Sequence, residues 1–100
     1  MKIDGRKRVA LSVVNTVIRD LFKRWFSTRD DTFYRLYDVW VSYLARIDEF
    51  PYVRNGDRVY VSTYGIGDFK IERTSLSGMP ETLISFKELY AYTNRYLARP

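Results

Sequence analysis

The sequence predicts a single α+β domain with an N-terminal antiparallel helical hairpin, a small antiparallel β-hairpin or meander, and a C-terminal helix. Three observations predict it. Apolar residues recur with a helical period of 3.6 across residues 9–49, and the period changes to two across residues 52–74. A hydroxyl-to-acid signature at Ser85 and Glu88 then opens a last helical stretch. One hundred residues, 46% hydrophobic and 29% charged, suit one core and leave no material for a second, so residues 1–100 are read as one domain. No repeat, low-complexity tract or linker divides them. Aromatic side chains make up 17% of the chain and supply a dense core without staples, for there is no Cys.

Residues 9–26 form the first predicted helix, with apolar residues at 9, 10, 11, 13, 14, 17, 18, 21, 22, 25 and 26 and polar residues between them. Ser27, Thr28, Arg29 and Asp30 read as a turn and capping box, with Asp30 and Asp31 favourable near a helix amino end. In the second helix Phe33, Leu36, Tyr37, Trp40, Tyr43, Leu44 and Ile47 form the inward stripe. Arg35, Asp38, Ser42, Arg46 and Glu49 form the wet side, and Pro51 stops the helix. The short link predicts that the two helices fold back on each other.

Asn55 and Gly56 mark a turn, residues 58–64 alternate, residues 65–68 form a Gly-rich second turn and residues 69–74 alternate again. A β-hairpin is expected there, with residues 52–54 as a third strand of a meander and residues 82–84 as a short addition. The last helix runs to Leu97 with Phe86, Leu89, Tyr90, Thr93 and Leu97 inward.

Missing residue types exclude much chemistry. With neither Cys nor His there is no thiolate nucleophile, no Cys/His zinc site, no Ser-His triad and no imidazole base. Asp57 with Asp68, Phe69 and Lys70 has the residue types of a D…(D/E)xK metal-dependent nuclease arrangement, but Asp57 stands beside a turn and Asp68 closes the hairpin tip. The expectation is therefore no enzyme, no catalytic residue, no metal and no cofactor.

Lys2, Arg6, Lys7 and Arg8 followed by an apolar stretch have the order of a signal peptide. Ser12, Asn15 and Thr16 interrupt that stretch, and helical periodicity continues through Arg19 and Asp20 to Phe26. No segment approaches the ~20 apolar residues of a spanning helix, so no membrane insertion is expected. Lack of disulfides points to an intracellular setting. The chain has no Gln, three Asn and two Met, a thermolabile-poor usage shared with thermostable proteins, although scarce Lys and Glu count against it.

The net charge of +5 is unevenly placed. Residues 1–29 carry eight basic and two acidic side chains; residues 30–100 carry nine basic and ten acidic. On the first helix Arg8, Ser12, Asn15, Thr16, Arg19 and Lys23 fall three and four apart and share one stripe of phosphate- and base-edge-bonding side chains. An acidic second helix can neutralise that stripe instead, through Asp30, Asp31, Asp38, Asp48 and Glu49. Against this, Arg6, Lys7 and Arg8 lie at the positive end of the helix dipole, where each cation costs roughly 0.3–1 kcal/mol. They fit an anionic partner, or a basic arm over residues 1–8 reaching along phosphates.

A winged helix-turn-helix is excluded, because Pro51, Asn55 and Gly56 leave no room for a recognition helix before the hairpin. The expected function is a small non-enzymatic nucleic-acid-binding or regulatory protein, favouring DNA over RNA. Its expected contacts are Lys7, Arg8, Arg19, Lys23 and Arg24, joined by Arg54 and Arg58 beside the hairpin. A homodimer is the expected assembly, with the nine tyrosines as stacking or self-association surface. The alternative is a protein-interaction module, such as a viral or phage accessory protein, with a protein partner.

Overall fold

A computed structural model of the chain describes residues 8–63, 66 and 69–98. Its elements run α1 (Leu11–Thr28), α2 (Asp31–Glu49), β1 (Arg58–Ser62), β2 (Arg73–Thr74), β3 (Pro80–Ser85) and α3 (Phe86–Leu97). The α+β class and the opening helical pair are as the sequence predicts.

The predicted capping box at the first junction is corrected. Ser27 and Thr28 hydroxyls donate back to the Arg24 carbonyl at 3.3 and 2.7 Å, so both residues extend α1 instead of starting α2. Arg29 then takes the left-handed conformation at φ 57°, with its N–H bonded to the Trp25 carbonyl. Asp30 is the cap of α2, its carboxylate accepting from Thr32 N–H at 3.0 Å. Only Arg29 and Asp30 separate the helices. α1 begins two residues later than its periodicity predicts, at Leu11, after Ala10, which has no side-chain cap to offer.

The expected hairpin is also corrected. β1 does not pair with the strand that follows it. The sheet order is β1-β3-β2, with both outer strands antiparallel to β3. Val59 stands opposite Ile84 and Val61 opposite Thr82, while Arg73 stands opposite Glu81. β3 takes the centre because four of its six residues are buried, whereas both residues of β2 are exposed. Residues 52–54 add no strand; Arg54 forms one isolated antiparallel bridge with Arg8. Gly78, at φ 87°, closes the β2–β3 turn, where its N–H donates to the Ser75 carbonyl. Of the turn expected at residues 65–68, all but Ile66 lies outside the described residues, as do Tyr64 and residues 1–7, including Lys7.

The free edge of β1 is covered by α2. Ser62 N–H donates to Ser42 Oγ at 3.0 Å and Arg46 Nε donates to the Tyr60 carbonyl at 2.9 Å. Ser42 and Arg46 therefore turn from the expected wet side to satisfy strand groups that would otherwise invite another chain. The core joins Val14, Val17 and Leu21 of α1 to Phe33, Leu36, Val39, Trp40, Tyr43 and Ile47 of α2, and these to Val61, Ile84 and Leu89. Tyr37 and Leu44 are half-buried on the flank of this stripe. In α3 the capping box at Ser85 and Glu88 is present, but Tyr92 is the buried tyrosine and Tyr90 is 38% exposed. Trp40 Nε1 donates to Thr93 Oγ1 at 2.8 Å, tying α2 to α3 through two fully buried side chains.

Candidate nucleic-acid interface

The cations of this fold divide by what holds them. Glu81, 5% exposed, accepts from Arg73 Nε at 2.7 Å and from Arg46 at 3.3 Å. Arg73 also lies 3.7 Å from the Tyr60 ring centre. Arg58 grips Glu88 through two bonds of 3.1 and 2.9 Å. Arg24 donates to the Leu97 carbonyl at 2.6 Å and covers Phe33, securing the last turn of α3 to α1. Arg54 N–H donates to Asp57 at 3.0 Å. A hollow beside β1 is lined by Arg46, Tyr52, Asp57, Arg58 and Arg73, and its three guanidiniums are committed to Glu81 and Glu88.

α1 differs. Ser12, Asn15, Thr16, Arg19 and Lys23 are all exposed, with Arg8 just ahead of the helix. Spacings of three and four put Arg19 and Lys23 on successive turns of the outward face. Among the described residues neither forms an ion pair or hydrogen bond with a carboxylate. Arg35, Lys70 and Lys87 are likewise without an ion pair, but they stand on three separate segments.

The acids of α2 do not neutralise this stripe by contact. Asp30 caps its own helix and Asp31 sits in the first turn. Asp38 is half-buried, and that burial raises its carboxyl above the ordinary range. Of the seven residues named from sequence, Arg8, Arg19 and Lys23 face outward and have no ion pair among the described residues. Arg24 and Arg58 are engaged within the fold, Arg54 lies beside Arg8, and Lys7 lies outside the described residues.

Sequence reasoning missed a second feature. Phe22, Phe26 and Tyr34 are 44%, 61% and 43% exposed and touch the half-buried Trp25 and Tyr37 in one continuous group. Ring centres are 6.5 Å apart for Phe22 and Phe26, 5.7 Å for Phe22 and Tyr37, 6.0 Å for Tyr34 and Tyr37, and 5.1 Å for Trp25 and Tyr34. The Arg29 guanidinium closes one end, 4.8 Å from Trp25 and 5.0 Å from Phe26. The readable signal was the breadth of the apolar pattern in α1. Nine apolar positions within α1 exceed what one partner helix can cover, and the surplus at Phe22 and Phe26 lies on the outer flank of the pair, where Phe22 meets Tyr37.

Among the described residues no group of three His, Cys, Asp or Glu side chains is placed to hold a metal ion. Among the same residues no helix is long and apolar enough to cross a membrane. No protein-family model matches the chain, and no curated protein and no solved structure is similar enough to count as a match.

Proposed function

We propose that this protein binds nucleic acid, without catalysis, through the outward face of α1. One observation carries the reading. Arg19 and Lys23 stay unpaired beside a helix bearing carboxylates, while every arginine of the sheet strands is matched to one. Cations left free on successive turns, with Arg8 ahead and the Ser12 and Asn15 side chains between Arg8 and Arg19, form a row suited to consecutive phosphates. Exposed pairs contribute only about 0–1 kcal/mol, so leaving these unmade costs the fold little and keeps the charge available.

Arg8, Arg19 and Lys23 carry the contact, with Arg54 extending it beside Arg8. Arg24 and Arg58 contribute to the surrounding potential while engaged within the fold. The test is anisotropy of labelled duplex DNA, single-stranded DNA and RNA with the Arg19→Glu/Lys23→Glu variant. Binding is expected to be lost while the circular dichroism spectrum is kept; unchanged affinity for all three overturns the reading. The exposed rings favour a second reading, a protein-interaction module. A stoichiometric protein partner that survives nuclease treatment would establish it.

A further inference from the structure

We infer that the aromatic group on the outer flank of α1 and α2 is a stacking platform for unpaired bases, so that the ligand is single-stranded nucleic acid. The inference rests on the phosphate-binding reading above and adds the strand state. Three observations converge on it. The rings of Phe22, Phe26 and Tyr34 each keep about half their surface open although all three belong to helices with a buried face elsewhere. Their neighbours are cationic: Arg19 borders the shallow hollow formed with Phe22 and Tyr37, and Arg29 lies on Trp25 and Phe26. Arg19 and Lys23 are four apart, Phe22 and Phe26 are four apart, and each ring follows a cation by three, so a row of cations runs beside a row of rings on one helix.

Single strands are held by that combination, a cationic track for the backbone beside π-faces for the bases. A duplex hides its base faces in its own stack and leaves such rings without a partner. A second copy of this chain is the competing occupant. It would bring its own Arg19 and Arg29 onto a surface already edged by those cations, whereas a polyanion neutralises them. Burying the rings against an apolar peptide would leave the same cations uncompensated.

The test uses the full chain and two probes, a labelled oligothymidylate of about 15 nucleotides and a duplex of equal length. Phe26→Ala and Tyr34→Ala should each weaken the single-strand complex roughly 5- to 150-fold, the range for losing one stacked base. Phe26→Leu, which keeps bulk and loses the π-face, should weaken it as well, and duplex binding should change less than twofold. Equal loss on both probes, or Phe26→Leu binding the single strand as the parent does, overturns the inference and leaves the phosphate-binding reading intact. Failure of the parent to bind either probe, or an oligouridylate of the same length, removes both. A parent dimer that Phe26→Ala converts to monomer assigns the rings to self-association and also overturns the inference.

Discussion

Replacing Thr93 by Val removes one acceptor from the centre of the molecule and almost nothing else. The Thr93 hydroxyl accepts from Trp40 Nε1 at 2.8 Å and donates to the Leu89 carbonyl at 2.8 Å, and both side chains are fully buried. Valine preserves the volume. The Leu89 carbonyl, one turn back in α3, retains its backbone partner, but the indole N–H is left without one where water cannot reach. An orphaned buried donor costs about 1–3 kcal/mol. For a domain of this size each kcal/mol lowers Tm by roughly 4–8 °C. Trp40→Phe alone loses packing and leaves no orphan, because the hydroxyl still donates to Leu89. In the double variant there is no indole to orphan, so its destabilisation should fall short of the summed singles by at least about 1 kcal/mol. Urea unfolding followed by far-ultraviolet circular dichroism measures all four proteins without relying on tryptophan emission. A Thr93→Val loss below about 0.5 kcal/mol, the level of a surface change, would show that the indole N–H is not left orphaned. So would additive single effects.

Other consequences are equally direct. Ser85→Ala should cost about 1 kcal/mol by opening the capping box of α3, read as a lower urea midpoint. The Ser85 backbone N–H, the largest influence, holds the Glu88 carboxyl below its ordinary 4.5; burial opposes it, and the Ser85 hydroxyl and Arg58 add to the lowering. Its contribution is therefore complete above that pH and lost as pH falls through the lower folded value, and Glu88→Gln should flatten this acid limb of a stability profile. Tyr43 is fully buried with no partner for its hydroxyl among the described residues, and burial, aided by the charge of Asp57, raises its phenol above the ordinary 10. Above pH 10 the unfolded phenol ionises while the folded one stays neutral. Stability should then fall by about 1.4 kcal/mol per pH unit from this group, and Tyr43→Phe should remove that slope without loss at neutral pH.

Periodicity made the three helices legible because each buries a continuous stripe, and Ser85 with Glu88 marked the start of α3 by a pattern with a local mechanism. Strand partners were less legible. Alternation in residues 58–64 and 69–74 states that the chain is extended, not which strand lies beside it. Pro80–Ser85 alternates poorly because a central strand buries residues on both faces, and that same burial puts it between β1 and β2. Ser27 and Asp30 show how a local signature can deceive. Hydroxyls near a helix end satisfy the preceding carbonyls as readily as the next amides, and here they bond Arg24.

At the candidate interface, sequence spacing located the outward stripe of Arg19 and Lys23. It could not separate them from Arg24, one residue further round the helix, which reaches Leu97 at 2.6 Å. Nor could it pair Arg58 with Glu88, thirty positions away. The exposed rings were hidden for a related reason: Phe22 and Phe26 resemble core residues until the width of α2 is known. A helix of apolar breadth greater than its partner's leaves the excess on the surface, and here it lies beside the free cations.

Contact between α1 and phosphates shows in the salt dependence of binding between about 50 and 200 mM. The parent should lose affinity linearly in log–log form with a slope corresponding to several released ions. Arg19→Ala/Lys23→Ala should lower that slope by about 1 for each contact removed. A parent whose affinity is insensitive to salt, or a double variant with the parent's slope, would mean that α1 does not contact phosphates.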